Sequence, residues 1–172
     1  MFLSKLKDFF IKKIVKKRLV NVAPFNSNGA IKKVGIIIDE TYFFEKDDFI
    51  KQLAFFGIDT ISISLLIFKN KIIKNEILNH ITFSFNDLSW SGKIENAFVN
   101  EFIKEEFDLL ISYYDTEKAP LLLVTNNSKA NFKVGFSSVD KRLNHFMIDS
   151  NAENYKVFID ELFKYLKILN KL

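Results

Sequence analysis

The sequence predicts a three-layer α/β sandwich, Rossmann-like or flavodoxin-like, with a mainly parallel sheet of five to six strands and a basic amphipathic helix in front of it. Two observations carry this. Short apolar runs such as VGIIID, residues 34–39, apolar up to its closing Asp39, have the composition of strands buried on both faces. Between several of them lie segments whose apolar residues recur at helical spacing, and strands that alternate with helices imply parallel strands joined by right-handed crossovers.

The elements follow in order. In residues 1–20, Leu3, Leu6, Phe10 and Ile14 fall near one helical face, Phe2 and Phe9 widen it, and Lys5, Lys12 and Lys16 lie together on another. The helix stops before NVAPFNSNGA, where Pro24, an Asn-Ser-Asn run and Gly29 mark a connector. This divides the chain into a basic helix over 1–20, a connector over 21–33 and one α/β domain over 34–172. After the first strand, DDFIKQLAFFG reads as a helix closed by Gly57. TISISLLIF is the second strand, NKIIKNEILN a polar, Lys-rich passage, and ITFSF an alternating third strand. The loop DLSWSGK leads to the helix ENAFVNEFIKEEF. The run DLLISYYDTEKAPLLLVTNN is a strand broken at Tyr-Tyr-Asp that restarts as a short helix, with Pro120 as its first residue. FKVGFSS and HFMID supply further strands, and residues 152–172 close the chain as a long helix.

Composition narrows the chemistry. Without cysteine the chain forms no disulfide and no thiolate metal site, and a reducing cytoplasm is the expected setting, with a peripheral position on the inner face of the membrane compatible with the leader. No run approaches the apolar length of a membrane span, and the leader is too charged for a signal peptide. Residues 1–20 hold seven Lys/Arg against Asp8 alone, which leaves 18 bases and 20 acids in the remainder. The net charge of +4 therefore belongs to the leader. Charge placed in this way bears on partners and says nothing about fold.

In parallel sheets ligands bind beyond the carboxyl ends of the strands, here Asp39-Glu40, Tyr114-Asp115 and Ser137-Ser138. The junction DTEKAPLLL is a poor phosphate cradle, with no glycine, two carboxylates and a proline in place of one N–H donor; Lys118 alone favours it. Five glycines in the chain include neither a dinucleotide fingerprint nor a P-loop, and no cofactor is expected. Asp39, Glu40, Asp115 and Glu117, with Lys118, form a candidate cleft that could hold magnesium; the blander reading is helix caps and solvated loops. No catalytic residue is assigned. His80 and His145 lack metal-site spacing and read as structural, and Trp90 reads as a plug at the edge of the core. Asp140–His145, DKRLNH, reads as a solvated turn with paired charges.

The second half, from LLISYYDTEKAPLLLVTNN through FKVGFSSVDKRLNHFMID to the last helix, with VGIIIDETYF and FSFNDLSWSGKI, resembles a bacterial family of short proteins known only as a domain of unknown function. That resemblance implies no activity. More weakly, FDLLIS, a short helix and FKVGF look like the acceptor-side half of heptosyltransferase-type glycosyltransferases. There the sugar nucleotide is held mainly by a second domain, so this likeness implies a Rossmann-like fold without independent transfer.

The expected function is a non-catalytic adaptor or binding protein. Its leader, through Lys5, Lys12, Lys13, Lys16, Lys17 and Arg18, would contact a protein partner or an anionic surface, either a membrane face or RNA. One arginine and no tyrosine in the leader disfavour base stacking, and no reading of DNA sequence is expected. The alternatives are an RNA- or ribosome-associated protein, and a small enzyme with an acidic, magnesium-binding site at the strand ends. Against the readings that use the leader stands a leader that simply packs across its own domain.

Overall fold

The computed structural model describes residues 2–25, 29–72 and 80–172, with side chains from residue 6 onward. Among the described residues six strands form one sheet: β1 (Val34–Asp39), β2 (Ile63–Phe68), β3 (Ile81–Phe83), β4 (Leu109–Tyr113), β5 (Phe132–Phe136) and β6 (Phe146–Ile148). Every pairing is parallel, and the order is β3-β2-β1-β4-β5-β6. This is the Rossmann order rather than the flavodoxin one, and the chain reverses direction across the sheet between β1 and β4. The helices are α1 (Phe2–Arg18), α2 (Lys46–Phe55), α3 (Ala97–Lys104), α4 (Ala119–Asn127) and α5 (Tyr155–Ile168).

The crossover through α2 runs from β1 to β2 and the one through α4 from β4 to β5, in opposite directions along the sheet. Right-handed connections therefore put these helices on opposite faces. Accordingly α2 packs with α5, while α4 packs with α3 and α1. Strands β1 and β4 are buried along their whole length, as their predominantly apolar sequences require, with Asp39 and Ser112 the polar exceptions.

Several boundaries differ from the sequence reading for local reasons. The second strand starts at Ile63 because the Asp59 side chain accepts from Ile61 N–H and turns residues 60–62 into a 3₁₀ turn. The third ends at Phe83 because Ser84 and Asp87 form a capping box around the next turn. Gly57 closes α2 at φ +101°, where Gly57 N–H reaches Ala54 O and Ile58 N–H reaches Leu53 O, a Schellman arrangement. Pro120 is the second residue of α4 rather than its first. Most of the Lys-rich passage, residues 73–79, lies outside the described residues, as do 26–28 in the connector.

The leader helix corrects the sequence reading of its faces. Its buried residues are Ile11, Val15 and Leu19, whereas Leu6, Phe9 and Phe10 are exposed. A leader this rich in apolar residues has more than one hydrophobic stripe, and α4 selects among them. Helix α4 is buried from Ala119 to Thr125 on every side. A helix apolar all round must be covered all round, and α1 supplies the cover that the sheet cannot.

Candidate functional site

The crevice above the β1/β4 reversal is where this fold takes its ligands, and here the chain fills it with its own side chains. Asp39 ends β1 with no exposed surface; its carboxylate accepts from Thr41 N–H at 3.1 Å, from the Thr41 hydroxyl at 2.7 Å and from Lys118 Nζ at 2.6 Å. Lys118 reaches it from just before α4, also donates to the Thr41 hydroxyl, and lies over the Tyr42 and Phe68 rings. The Tyr42 hydroxyl accepts from Asp115 N–H at 3.0 Å, and burial pushes its pKa up, so it stays protonated.

The other predicted carboxylates do not join Asp39. Glu40 is held by Lys46 at 2.5 Å and Lys69 at 3.1 Å. Burial would raise its pKa, but the two ammonium groups outweigh that and leave it lowered. Asp115 turns the other way and accepts from Ala152 N–H at 2.8 Å. Glu117 accepts from Lys16 at 2.5 Å and from Asp140 N–H at 3.1 Å. Carboxylates dispersed among separate partners do not make a multidentate oxygen site, and among the described residues no group of three or more His, Asp or Glu side chains could hold a metal ion.

Sequence reasoning missed the residue that closes this crevice. Asp8 Oδ1 accepts from Ala119 N–H at 2.7 Å, so a carboxylate from α1 occupies the amino end of α4, where the free N–H groups of a helix would otherwise favour an anion. Asp8 was visible only as the one acid in a basic leader. His145 is structural: Nδ1 accepts from Lys133 N–H at 2.9 Å, so Nε2 carries the proton and donates to Ala23 O at 2.7 Å. Trp90 departs from its expected place. It is 58% exposed, with Lys7 5.8 Å from its ring, because Leu88 and Ile94 occupy the core positions of that loop.

The basic residues of α1 divide into two sets. Lys7 donates to Phe85 O and Leu88 O, Lys12 meets Asp8 at 3.4 Å and Lys16 is paired with Glu117. Lys13, Lys17 and Arg18 are exposed and pair with nothing among the described residues. The Lys5 side chain lies outside the described residues. On the same outward surface Phe9 and Phe10 meet edge to face at 5.7 Å, 63% and 49% exposed, and Phe9 adjoins a shallow groove lined by Lys12, Lys13, Lys16 and Lys17.

The chain matches the model of a family of unknown function, DUF6913, over residues 7–169. It belongs to that family. The match begins within α1, so this DUF6913 chain carries the leader helix and the sheet as parts of one family pattern. No curated protein and no solved structure matches it significantly. The glycosyltransferase likeness gains no support from these comparisons and is carried no further. No described helix is long and apolar enough to cross a membrane.

Proposed function

We propose that this DUF6913 chain is a non-catalytic binding protein that docks on an anionic lipid surface through the outward face of α1. One observation carries the reading: exposed Phe9 shares a groove with Lys13 and Lys17, Phe10 is exposed next to Phe9 and Arg18 next to Lys17, and these three cations have no partner among the described residues. Ordinary surface bases face water alone. Here the bases can meet headgroups while Phe9 and Phe10 enter the interface. Each base near an anionic leaflet contributes about 1 kcal/mol, so the contact is reversible and salt-sensitive. The crevice at β1/β4, filled by Asp39, Lys118 and Tyr42, favours binding over catalysis at the strand ends.

The same cations could neutralise RNA phosphates, and an exposed phenylalanine ring can stack on an unpaired base, so RNA is the competing partner; a leader with six lysines, a single arginine and no tyrosine argues against it. The acidic-enzyme reading asks for two carboxylates sharing a site, and each one here has its own partner.

Deleting residues 1–20 would uncover α4, so the test uses charge reversal on the full chain. Wild type, the triple variant Lys13→Glu/Lys17→Glu/Arg18→Glu and the double variant Phe9→Ser/Phe10→Ser are sedimented with phosphatidylserine vesicles, with phosphatidylcholine vesicles and with a fluorescent RNA. The reading expects binding to the anionic vesicles alone, weakened by salt and by both variants. Equal binding by wild type and the triple variant, or capture of RNA without vesicles, sinks it.

A further inference from the structure

At the opposite end of the sheet, where β5 and β6 begin, residues 20–25 stand away from the strands and leave a cleft of about 460 Å³. Three anchors fix its outer wall. Val22 N–H donates to Arg142 O at 3.1 Å, His145 donates to Ala23 O, and the Phe25 ring packs 4.8 Å from Phe132 and 5.5 Å from His145. The volume falls within the range of small-molecule sites, and the lining mixes apolar groups, Phe25 and Leu143 among them, with a few polar ends.

The charges in this lining are of one sign. No Asp or Glu contributes to it. Arg142 is neutralised by Asp140, which accepts from Nε at 2.9 Å and from Nη2 at 2.7 Å. Lys133 has no such partner, although it is only 6% exposed. Its ammonium donates to Thr125 O at 2.7 Å and, more weakly, toward Asn126 O at 3.4 Å, the carbonyls that end α4. An ammonium has three donors, and the third has no partner among the described residues. Lys129, exposed on the rim, is close enough for its charge to act on Lys133. Burial first, and this like charge second, pull the Lys133 pKa down to about 8. The carbonyls in the last turn of α4 stabilise this ammonium without neutralising it, and in a cleft without a carboxylate its charge is left for an anion to balance.

We propose that this cleft binds a small phosphate monoester. Its dianion is held between Lys129 and Lys133, and the organic part lies against Phe25 and Leu143. A carboxylate would balance one of the two cations, whereas a phosphate monoester near neutral pH balances both. Binding also relieves the repulsion between the two lysines, so it draws a proton onto Lys133 when the pH is close to 8.

The test titrates the full chain with adenosine monophosphate, inorganic phosphate and uncharged adenosine by calorimetry near pH 8, in two buffers of different ionisation enthalpy. The expected results are binding of the two phosphates, at least about tenfold weaker binding of adenosine, and a buffer-dependent heat that reports proton uptake. Lys129→Glu, an exposed change, should weaken adenosine monophosphate by at least about tenfold, and Lys133→Met should abolish both the binding and the proton uptake. The α1 triple variant should bind as wild type does, which separates this site from the membrane reading. No binding of either phosphate, adenosine binding as well as its monophosphate, or an unchanged affinity in Lys129→Glu would overturn the proposal.

Discussion

The Asp8 carboxylate on α1 caps the amino end of α4 through Ala119 N–H at 2.7 Å, across 111 residues of sequence. Helix α4 has no side-chain cap of its own, since Lys118 occupies that position. Replacing Asp8 by Ala should therefore cost about 1 kcal/mol, while Asn, which can still accept, should cost less. Urea denaturation with an unchanged slope would check this. A loss as large for Asn as for Ala would assign the effect to the Lys12 pairing instead.

Asp39 depends on Lys118 in a similar way, at a higher stake because it is fully buried. Lys118→Met leaves a carboxylate with only Thr41 for company and should destabilise the fold by about 3 kcal/mol. Adding Asp39→Asn to that variant should restore a good part of the loss. A double-mutant cycle measures the coupling between the two groups.

Two strand glycines mark close approaches. A Cβ on Gly35, in the central strand β1, would stand 2.7 Å from the Phe107 ring, and one on Gly135 in β5 would stand 2.5 Å from Asn144 Nδ2. Neither φ is positive, so the constraint is space and not backbone conformation. Gly35→Ala should cost about 1–3 kcal/mol, because β1 is held on both sides by β2 and β4 and the ring must yield. Phe107→Leu in the same chain should recover part of that loss. At Gly135 the neighbour is a buried Asn side chain with no hydrogen-bond partner among the described residues, and a similar loss is expected.

Lys133 sets the alkaline side of the stability profile. Its folded pKa of about 8 lies below the unfolded value of about 10.4, so between these values the unfolded chain binds more protons and stability rises with pH. Above about pH 10 the slope should reverse, since burial keeps Tyr113 and Tyr114 protonated after unfolded tyrosines ionise. Thermal melts from pH 7 to 11 should show the rise in wild type and its absence in Lys133→Met.

On the acid side Asp140, held down to about 2 chiefly by Arg142, contributes stability above its unfolded pKa. That contribution should be lost as the pH falls from about 5 to about 2, and it is at most about 2 kcal/mol. Asp140→Asn should flatten this part of the profile. His145 adds to the same trend nearer neutrality. Burial lowers its pKa, and protonating Nδ1 breaks its bond with Lys133 N–H, so stability should fall as the pH drops through the unfolded histidine value of about 6.5.

The sheet was legible in the sequence because its signals are local. The five apolar residues from Val34 to Ile38 need cover on both faces wherever they end up, and the alternation of such runs with helices leaves few topologies besides a parallel sheet. Even Gly57 announced its helix end, because a left-handed residue after an apolar helix has a specific backbone use. The order of strands was open between the Rossmann and flavodoxin forms, since both satisfy the same periodicities. The strand-end residues were placed on the correct edge of the sheet by the same logic, but their partners were not.

By itself, then, the sequence determined that this protein is a parallel α/β sheet behind a basic leader, and that no familiar phosphate loop is encoded in it. Tertiary structure alone decided which stripe of the leader is buried, that Asp8 closes α4, that Lys118 answers Asp39 across 79 residues, and that Lys133 faces a cleft without an acid. Periodicity records what each segment must hide. Which charged group meets which depends on how the segments stack, and the stacking is a property of the whole chain that no single window of sequence contains.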